Sequence, residues 1–304
     1  MNILITGSTG FLGNFLSSHL DESNQITNLN SHNCNLYYEN TLNQYNKNNY
    51  DVIFHLAAWT QAGDFCLRYP GDQWVNNQKI NTNLLSWWKA KQPKAKLVII
   101  GTSCVYDENL ELIEDNYMKG EPTKSLYTYA MTKKMLLQGA RSLAEQYDMN
   151  YICFVPSTLY GPDYHTDGRQ MHFIFDLIRK IIRGKELHEP VVLWGDGYQK
   201  REIIYVNDFI LNMLALLKKY NNEIFNIGSG IGYSIREYAN IICKIINYDS
   251  NKIKYDINKY VGVRSKILNI KKVSTALGSE YMNINMKIGL ENTIKWFYDN
   301  ESWR

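Results

Sequence analysis

The stretch Asn2-Ile3-Leu4-Ile5-Thr6-Gly7-Ser8-Thr9-Gly10-Phe11-Leu12-Gly13-Asn14-Phe15-Leu16 leaves the chain that carries it few options. An apolar run closed by glycine is the pattern of a strand buried in a parallel sheet, and the apolar residues after Gly10 continue as the first turns of a helix. Glycines between the two let backbone N–H groups approach an anion at the helix N-terminus, so the expected ligand is the diphosphate of a dinucleotide. The spacing is G-x-x-G-x-x-G rather than G-x-G-x-x-G, and a plain strand-to-helix turn stands as the alternative until later residues are read. The fold class expected is α/β, a doubly wound parallel (Rossmann) sheet, and 304 residues suffice for one large core or two unequal lobes.

Composition removes several classes of function. The 33 basic residues are scattered among 30 acidic ones for a net charge of +3, which leaves no footprint for nucleic acid. No apolar run approaches the roughly 18 residues of a membrane span, and a strand starting at residue 2 leaves no room for a signal peptide. Five cysteines, an odd number with no C-x-x-C pair, fit free thiols in a reducing compartment. The expectation is a cytoplasmic protein without a metal site.

A second strand is expected near Gln25 to Leu29, followed by Asn30-Ser31-His32, where a dinucleotide-binding sheet chooses its cofactor. An acidic residue there would hold a ribose 2′-hydroxyl and an arginine a 2′-phosphate; neither is present. With no Arg or Lys from Thr27 to Leu36, a 2′-phosphate lacks charge-assisted donors, and NAD(H) is expected over NADP(H). Asp51-Val52-Ile53-Phe54-His55-Leu56-Ala57-Ala58 reads as a strand whose closing alanines flank the diphosphate, with His55 a satisfied core residue. Trp74 to Lys91 reads as a helix stopped at Pro93, its Trp87-Trp88 pair suggesting a packed or dimer-facing surface.

A Val/Ile-rich strand over residues 95–100 ends at Gly101-Thr102-Ser103-Cys104-Val105-Tyr106, and side chains past a parallel strand's carboxyl end face the crevice. Tyr129-Ala130-Met131-Thr132-Lys133 then opens a helix running to about Tyr147. Tyr129 and Lys133 lie one turn apart on one face, so the ammonium would lower the phenol's pKa and ready it for proton transfer, with Thr102 as a second donor. In a chain with 23 tyrosines this pair alone is weak; with the glycine turn and Thr102 upstream it defines a redox site.

These motifs, with Pro156-Ser157-Thr158-Leu159-Tyr160-Gly161-Pro162, Val192-Leu193-Trp194-Gly195-Asp196-Gly197 and Arg201-Glu202-Ile203-Ile204-Tyr205-Val206-Asn207-Asp208, closely resemble the extended short-chain dehydrogenase/reductases that act on nucleotide sugars. The resemblance covers nearly the whole chain and is nearest to the branch that epimerises and reduces GDP-4-keto-6-deoxysugars. It implies a cofactor domain over 1–162 with a returning segment at about 201–228, and a smaller substrate lobe mainly over 163–304. It implies that Thr102, Tyr129 and Lys133 serve hydride transfer and that Cys104 and His172 fall where that branch carries its epimerisation acid and base. Cofactor contacts are implied at Gly7, Thr9, Gly10, Phe11, Leu12 and Gly13 of the turn. Others are implied at Asn30, Leu36, Leu56, Ala57, Ala58 and Asn77, and at Tyr129, Lys133 and Pro156 beside the nicotinamide. Thr158, Lys180, Trp194, Arg201 and Lys266 would lie along a GDP-sugar, since a diphosphate wants cations and a base or sugar an aromatic wall.

Two departures matter: the cofactor loop lacks the branch's arginines, and Trp59-Thr60-Gln61-Ala62-Gly63-Asp64 replaces a glycine-rich segment near the substrate. The expected activity is therefore NAD(H)-dependent oxidation or reduction at carbon 4 of a GDP-linked sugar destined for surface polysaccharide, with epimerisation weak or absent. A 3,5-epimerase/4-reductase and a 4-epimerase stay open, with a non-catalytic cofactor sensor as the distant alternative. The family also implies a homodimer, paired through the helix after Trp74 and the helix of Tyr129, with Trp87, Trp88, Met135 and Leu136 as apolar surface.

Overall fold

A computed structural model of the chain describes residues 1–20, 22–259 and 261–304. The first lobe is built from β1 (Asn2–Thr6), α1 (Phe11–His19), β2 (Gln25–Leu29), β3 (Val52–His55), α2 (Phe65–Arg68), α3 (Pro70–Lys91), β4 (Lys96–Ile100), α4 (Tyr127–Tyr147) and β5 (Tyr151–Pro156). The chain goes on through β6 (Thr158–Tyr160), α5 (Phe173–Glu186), β7 (Val192–Trp194), β8 (Lys200–Tyr205), α6 (Val206–Lys219) and β9 (Glu223–Ile227). It ends with β10 (Gly232–Ser234), α7 (Ile235–Ile246), β11 (Lys254–Asp256), β12 (Ser265–Lys266), α8 (Lys271–Leu277) and α9 (Met286–Asp299).

Six parallel strands form one sheet in the order β2-β1-β3-β4-β5-β9. Successive side chains leave opposite faces. Ile3 and Ile5 therefore enter one core with Val98, Ile152 and Phe154, while Leu4 enters the other with Leu97, Ile99 and Val155. The order reverses at β1, so the loops after β1 and β3 diverge and leave a crevice at their carboxyl ends.

One face of this sheet is covered by α3 and α4. Trp87 and Trp88 belong to that core, at 6% and 0% exposure, and Leu136 is 1% exposed. The expectation that these three offer dimer surface is corrected. Each indole N–H is satisfied internally, Trp87 donating to Asn46 Oδ1 and Trp88 to the Ala95 carbonyl, both at 2.8 Å. Met135 is exposed as expected, and Trp74 and Val75 are the exposed apolar side chains of α3.

The other face is covered by α1, by α6 through Val206, Phe209 and Met213, and by α8 through Val273 and Leu277. The chain thus comes back to the first lobe a second time, after β12, which the expected boundaries did not include. The smaller lobe has its own core of Ile174, Ile178, Ile181, Tyr238, Ile242 and Phe297 from α5, α7 and α9. Its central strand, β8, pairs with β10 and β12 along its first half and with β6 along its second. Phe11 plugs the seam, edge-on to Tyr164 and Phe175 of the smaller lobe at 5.2 and 5.8 Å. Among the described residues, no helix is long and apolar enough to cross a membrane, and no three metal-ligating side chains gather in one place.

Candidate active site

The crevice at the strand reversal is floored by glycine. Gly7 has φ +68°, and a Cβ there would stand 2.8 Å from the Ala57 nitrogen; a Cβ on Gly13 would strike Gly7 O and Ser8 Cα. Two elements can approach this closely only if both positions lack side chains. Helix α1 starts at Gly10 with no side chain capping it and no acid in its first turn, so its open N–H groups and dipole fit an anionic diphosphate. Thr9 is exposed in the turn, whereas Phe11 and Leu12 point their side chains into apolar packing, which leaves their backbone for a cofactor.

Asn30, at the end of β2, accepts at Oδ1 from the backbone N–H groups of His32 (2.8 Å) and Asn33 (3.3 Å). Its amide NH2 makes no bond among the described residues and can donate outward. Leu36 lies buried against the α3 core. Leu56, Ala57 and Ala58 follow β3 beside the glycine turn. Asn77 is 2% exposed: it accepts from Trp59 N–H at 2.9 Å and donates to the carbonyls of Trp59 (3.0 Å) and Gln73 (2.8 Å). With both amide hydrogens donated inside the protein, Asn77 anchors the segment after Ala58.

Beyond β4, Thr102 caps a short turn over residues 103–105, its hydroxyl accepting from Cys104 N–H at 3.3 Å, and the turn packs on α4. Tyr129 and Lys133 project from the first turns of α4, with Lys133 Nζ 5.9 Å from the Tyr129 ring centroid. Tyr129 is half-buried. Burial, then the thiols of Cys104 and Cys66, push its phenol up, and burial pulls Lys133 down to about 8. The sequence led us to expect a phenol already lowered by its lysine. In the empty site desolvation outweighs that pair, because Nζ stands off the ring rather than on the hydroxyl. Pro156 closes β5 alongside.

Across the cleft, Arg201 and Lys266 are register partners on β8 and β12, so their side chains leave the same face. Thr158, Arg201 and Lys266 line one small cavity with Ser103, Ser157, Glu202 and Leu268. Lys266 Nζ donates to Cys104 Sγ at 3.3 Å. His172 opens α5 and is exposed at its surface, yet protein crowds it. That crowding and the charges of His165 and Lys266 hold it below the ordinary histidine range. Cys104 and Lys266, 162 positions apart in sequence, therefore meet, and His172 lies within electrostatic reach of Lys266. Arg201 donates to the carbonyls of Val263 (2.8 Å) and Val261 (2.7 Å). Lys180 is held by Asp176 at 2.8 Å on α5, and Trp194 is 49% exposed at the end of β7; neither lines the small cavity.

Three features escaped the sequence reading. Glu202 is 2% exposed and accepts from the N–H groups of Gly230 and Leu268, both at 2.7 Å; burial nonetheless pushes it up to about 7. It stood beside Arg201 in a quoted motif, the one signal available. Cys66 comes close enough to Tyr129 to raise its pKa, through the short helix α2, which no periodicity marked. Gln170 of the smaller lobe accepts from Asp64 N–H at 3.1 Å, so the segment after Ala58 touches the opposite lobe.

A doubly wound sheet with an uncapped glycine turn at its reversal, and a Tyr-x-x-x-Lys helix facing that turn, defines a nucleotide-cofactor enzyme of the short-chain dehydrogenase/reductase class. The chain belongs to the NAD dependent epimerase/dehydratase family, whose profile matches residues 3–228. GDP-L-colitose synthase of Yersinia pseudotuberculosis is 27% identical over 99% of both chains. GDP-L-fucose synthase of Escherichia coli is 28% identical over 77% of this chain and 75% of its own length. In fold, the chain matches a GDP-L-fucose synthetase from Naegleria fowleri bound to NADP, with a TM-score of 0.83 and 21% identity over 99% of this chain and 94% of that one.

Proposed function

We propose that the chain is an NAD(H)-dependent oxidoreductase acting at carbon 4 of a GDP-linked hexose, 6-deoxyhexose or heptose on the way to surface polysaccharide. What carries this reading is the placement of Thr102, Tyr129 and Lys133 on one wall of the crevice, with the cations Arg201 and Lys266 on the other. A nicotinamide cofactor held at the glycine turn would supply or accept the hydride at carbon 4. Tyr129 exchanges the proton with the carbon-4 oxygen, Thr102 donates to that oxygen, and the Lys133 ammonium stabilises the phenolate that Tyr129 becomes. NAD(H) is proposed over NADP(H), since Asn30 offers an amide and no cation follows β2 before Leu36. Exposed Trp74, Val75 and Met135 support pairing of α3 and α4 between two copies.

The test is to mix the enzyme with a 4-keto GDP-sugar and NADH or NADPH and follow the loss of reduced nicotinamide. Turnover that survives Tyr129→Phe at a near-native rate overturns the assignment. A second reading, 3,5-epimerase and 4-reductase in one site, is favoured by the Lys266–Cys104 contact, with His172 within electrostatic reach of that lysine. A 4-ketone acidifies the hydrogens on carbons 3 and 5, so the same incubation in deuterated water separates the two. Negligible deuterium uptake supports the simple redox enzyme; rapid uptake abolished by Cys104→Ser moves the assignment to the second reading.

A further inference from the structure

His55 has no part in the chemistry above, and it is wholly buried in β3. Its ring is bonded on both sides: Nδ1 lies 2.9 Å from Thr6 Oγ and Nε2 lies 3.1 Å from Asn81 Oδ1. Thr6 Oγ in turn accepts from Ala57 N–H at 3.2 Å, and Asn81 Nδ2 donates to the Thr132 carbonyl at 3.4 Å. The string runs through β1, β3, α3 and α4, and its side-chain members Thr6, His55 and Asn81 are each at most 5% exposed, so no water can replace a lost link.

Its proton placements are forced. The Thr132 carbonyl can only accept, which orients the Asn81 amide with Nδ2 toward it and Oδ1 toward the histidine. His55 must then carry its proton on Nε2, leaving the lone pair of Nδ1 for the Thr6 hydroxyl. That hydroxyl, having donated, is free to accept from Ala57, whose N–H can only donate. Burial and the nearby charge of Lys133 pull His55 down to about 4, so the ring keeps the single proton the string requires.

Both ends are functional ground. Ala57 is the residue against which a Cβ on Gly7 would collide, and Thr132 lies next to Lys133 and bonds the Tyr129 carbonyl at 2.7 Å. We propose that His55 and Asn81 are positioning residues which tie the backbone under the cofactor diphosphate to the turn of α4 that carries Tyr129 and Lys133. Cofactor seated on the glycine turn and the proton-transfer pair are thereby held in one register. The inference rests on cofactor binding and not on which sugar is used.

The first test needs no substrate. With histidines labelled with nitrogen-15, long-range imidazole NMR of the full chain should show one ring fixed as the Nε2–H tautomer across the neutral range, lost in His55→Gln. A protonated Nδ1, or averaging tautomers, overturns the string. The second test is a double-mutant cycle on NADH and NADPH affinity, read by nucleotide fluorescence. Thr6→Val and Asn81→Leu should each weaken binding about five- to tenfold, while the pair together is no weaker than about twice the worse single, because either break disables the same string. Thr6→Ser should restore affinity to within about twofold. Losses that multiply, or an unchanged affinity in Asn81→Leu, overturn the coupling.

Discussion

The two walls of the cleft are made on different terms. The cofactor wall is backbone: Gly7 and Gly13 leave no room for a side chain, the N-terminus of α1 is bare, and Ala57 is already bonded. The wall proposed for the sugar is long charged side chains that the protein itself occupies, Lys180 on Asp176, Arg201 on the Val261 and Val263 carbonyls, and Lys266 on Cys104. One wall is ready before its ligand arrives; the other must exchange partners. Preformed contacts spend less of their energy on ordering, so the contrast predicts a tight cofactor and a more weakly held, more selective sugar.

Tyr129→Phe, where the walls meet, has the largest expected effect. Turnover should fall about 10²- to 10⁴-fold with cofactor affinity nearly intact, as steady-state rates beside fluorescence titration would record. Gly13→Ala attacks the rigid wall. Overpacking against Gly7 O and Ser8 should cost about 1–3 kcal/mol of stability by denaturant titration and weaken the cofactor at least about tenfold. If it binds cofactor normally, that wall is softer than described. Arg201→Met attacks the exchanging wall and should raise the sugar KM about tenfold while leaving NADH and NADPH affinity within about twofold. Loss of cofactor binding there would merge the two walls.

The smallest effect is on pH dependence. Glu202, raised from 4.5 to about 7, holds a proton in the folded chain that the unfolded chain releases. Its contribution is present at low pH and is lost as pH rises through about 7. His55, lowered from 6.5 to about 4, has the opposite sign, since the unfolded chain binds the extra proton and stability rises with pH over that window. The melting temperature of Glu202→Gln should therefore climb more steeply than the parent's from about pH 5 to pH 7. An unchanged slope would mean that Glu202 is already ionised across that range.

The cofactor wall was legible in the sequence because its determinants are local: a strand, a turn and a helix within residues 2–16, and a tyrosine and lysine one turn apart. The sugar wall was legible only as residue types. That Lys266 reaches Cys104 across 162 positions depends on β12 pairing with β8, and a two-residue strand has no pattern to detect. The tryptophans misled for a related reason. Adjacent residues on a helix such as α3 point about 100° apart, so periodicity alone does not tell that both pack inward; both join the core, where Asn46 and Ala95 satisfy their N–H groups. The lowered phenol failed on solvation, which only the folded environment of Tyr129 reveals.

The double return of the chain to the first lobe has a consequence for how it is made. The face of the large sheet under α6 and α8 is Ile3, Ile5, Phe54, Val98 and Phe154, and its cover comes from residues 206–219 and 271–277. During synthesis this greasy surface is complete well before its lid has left the ribosome. Contacts of such long sequence separation form slowly, and exposed apolar strands invite aggregation meanwhile. A version shortened to its first 162 residues should emerge as a sticky sheet with only α1 over that side.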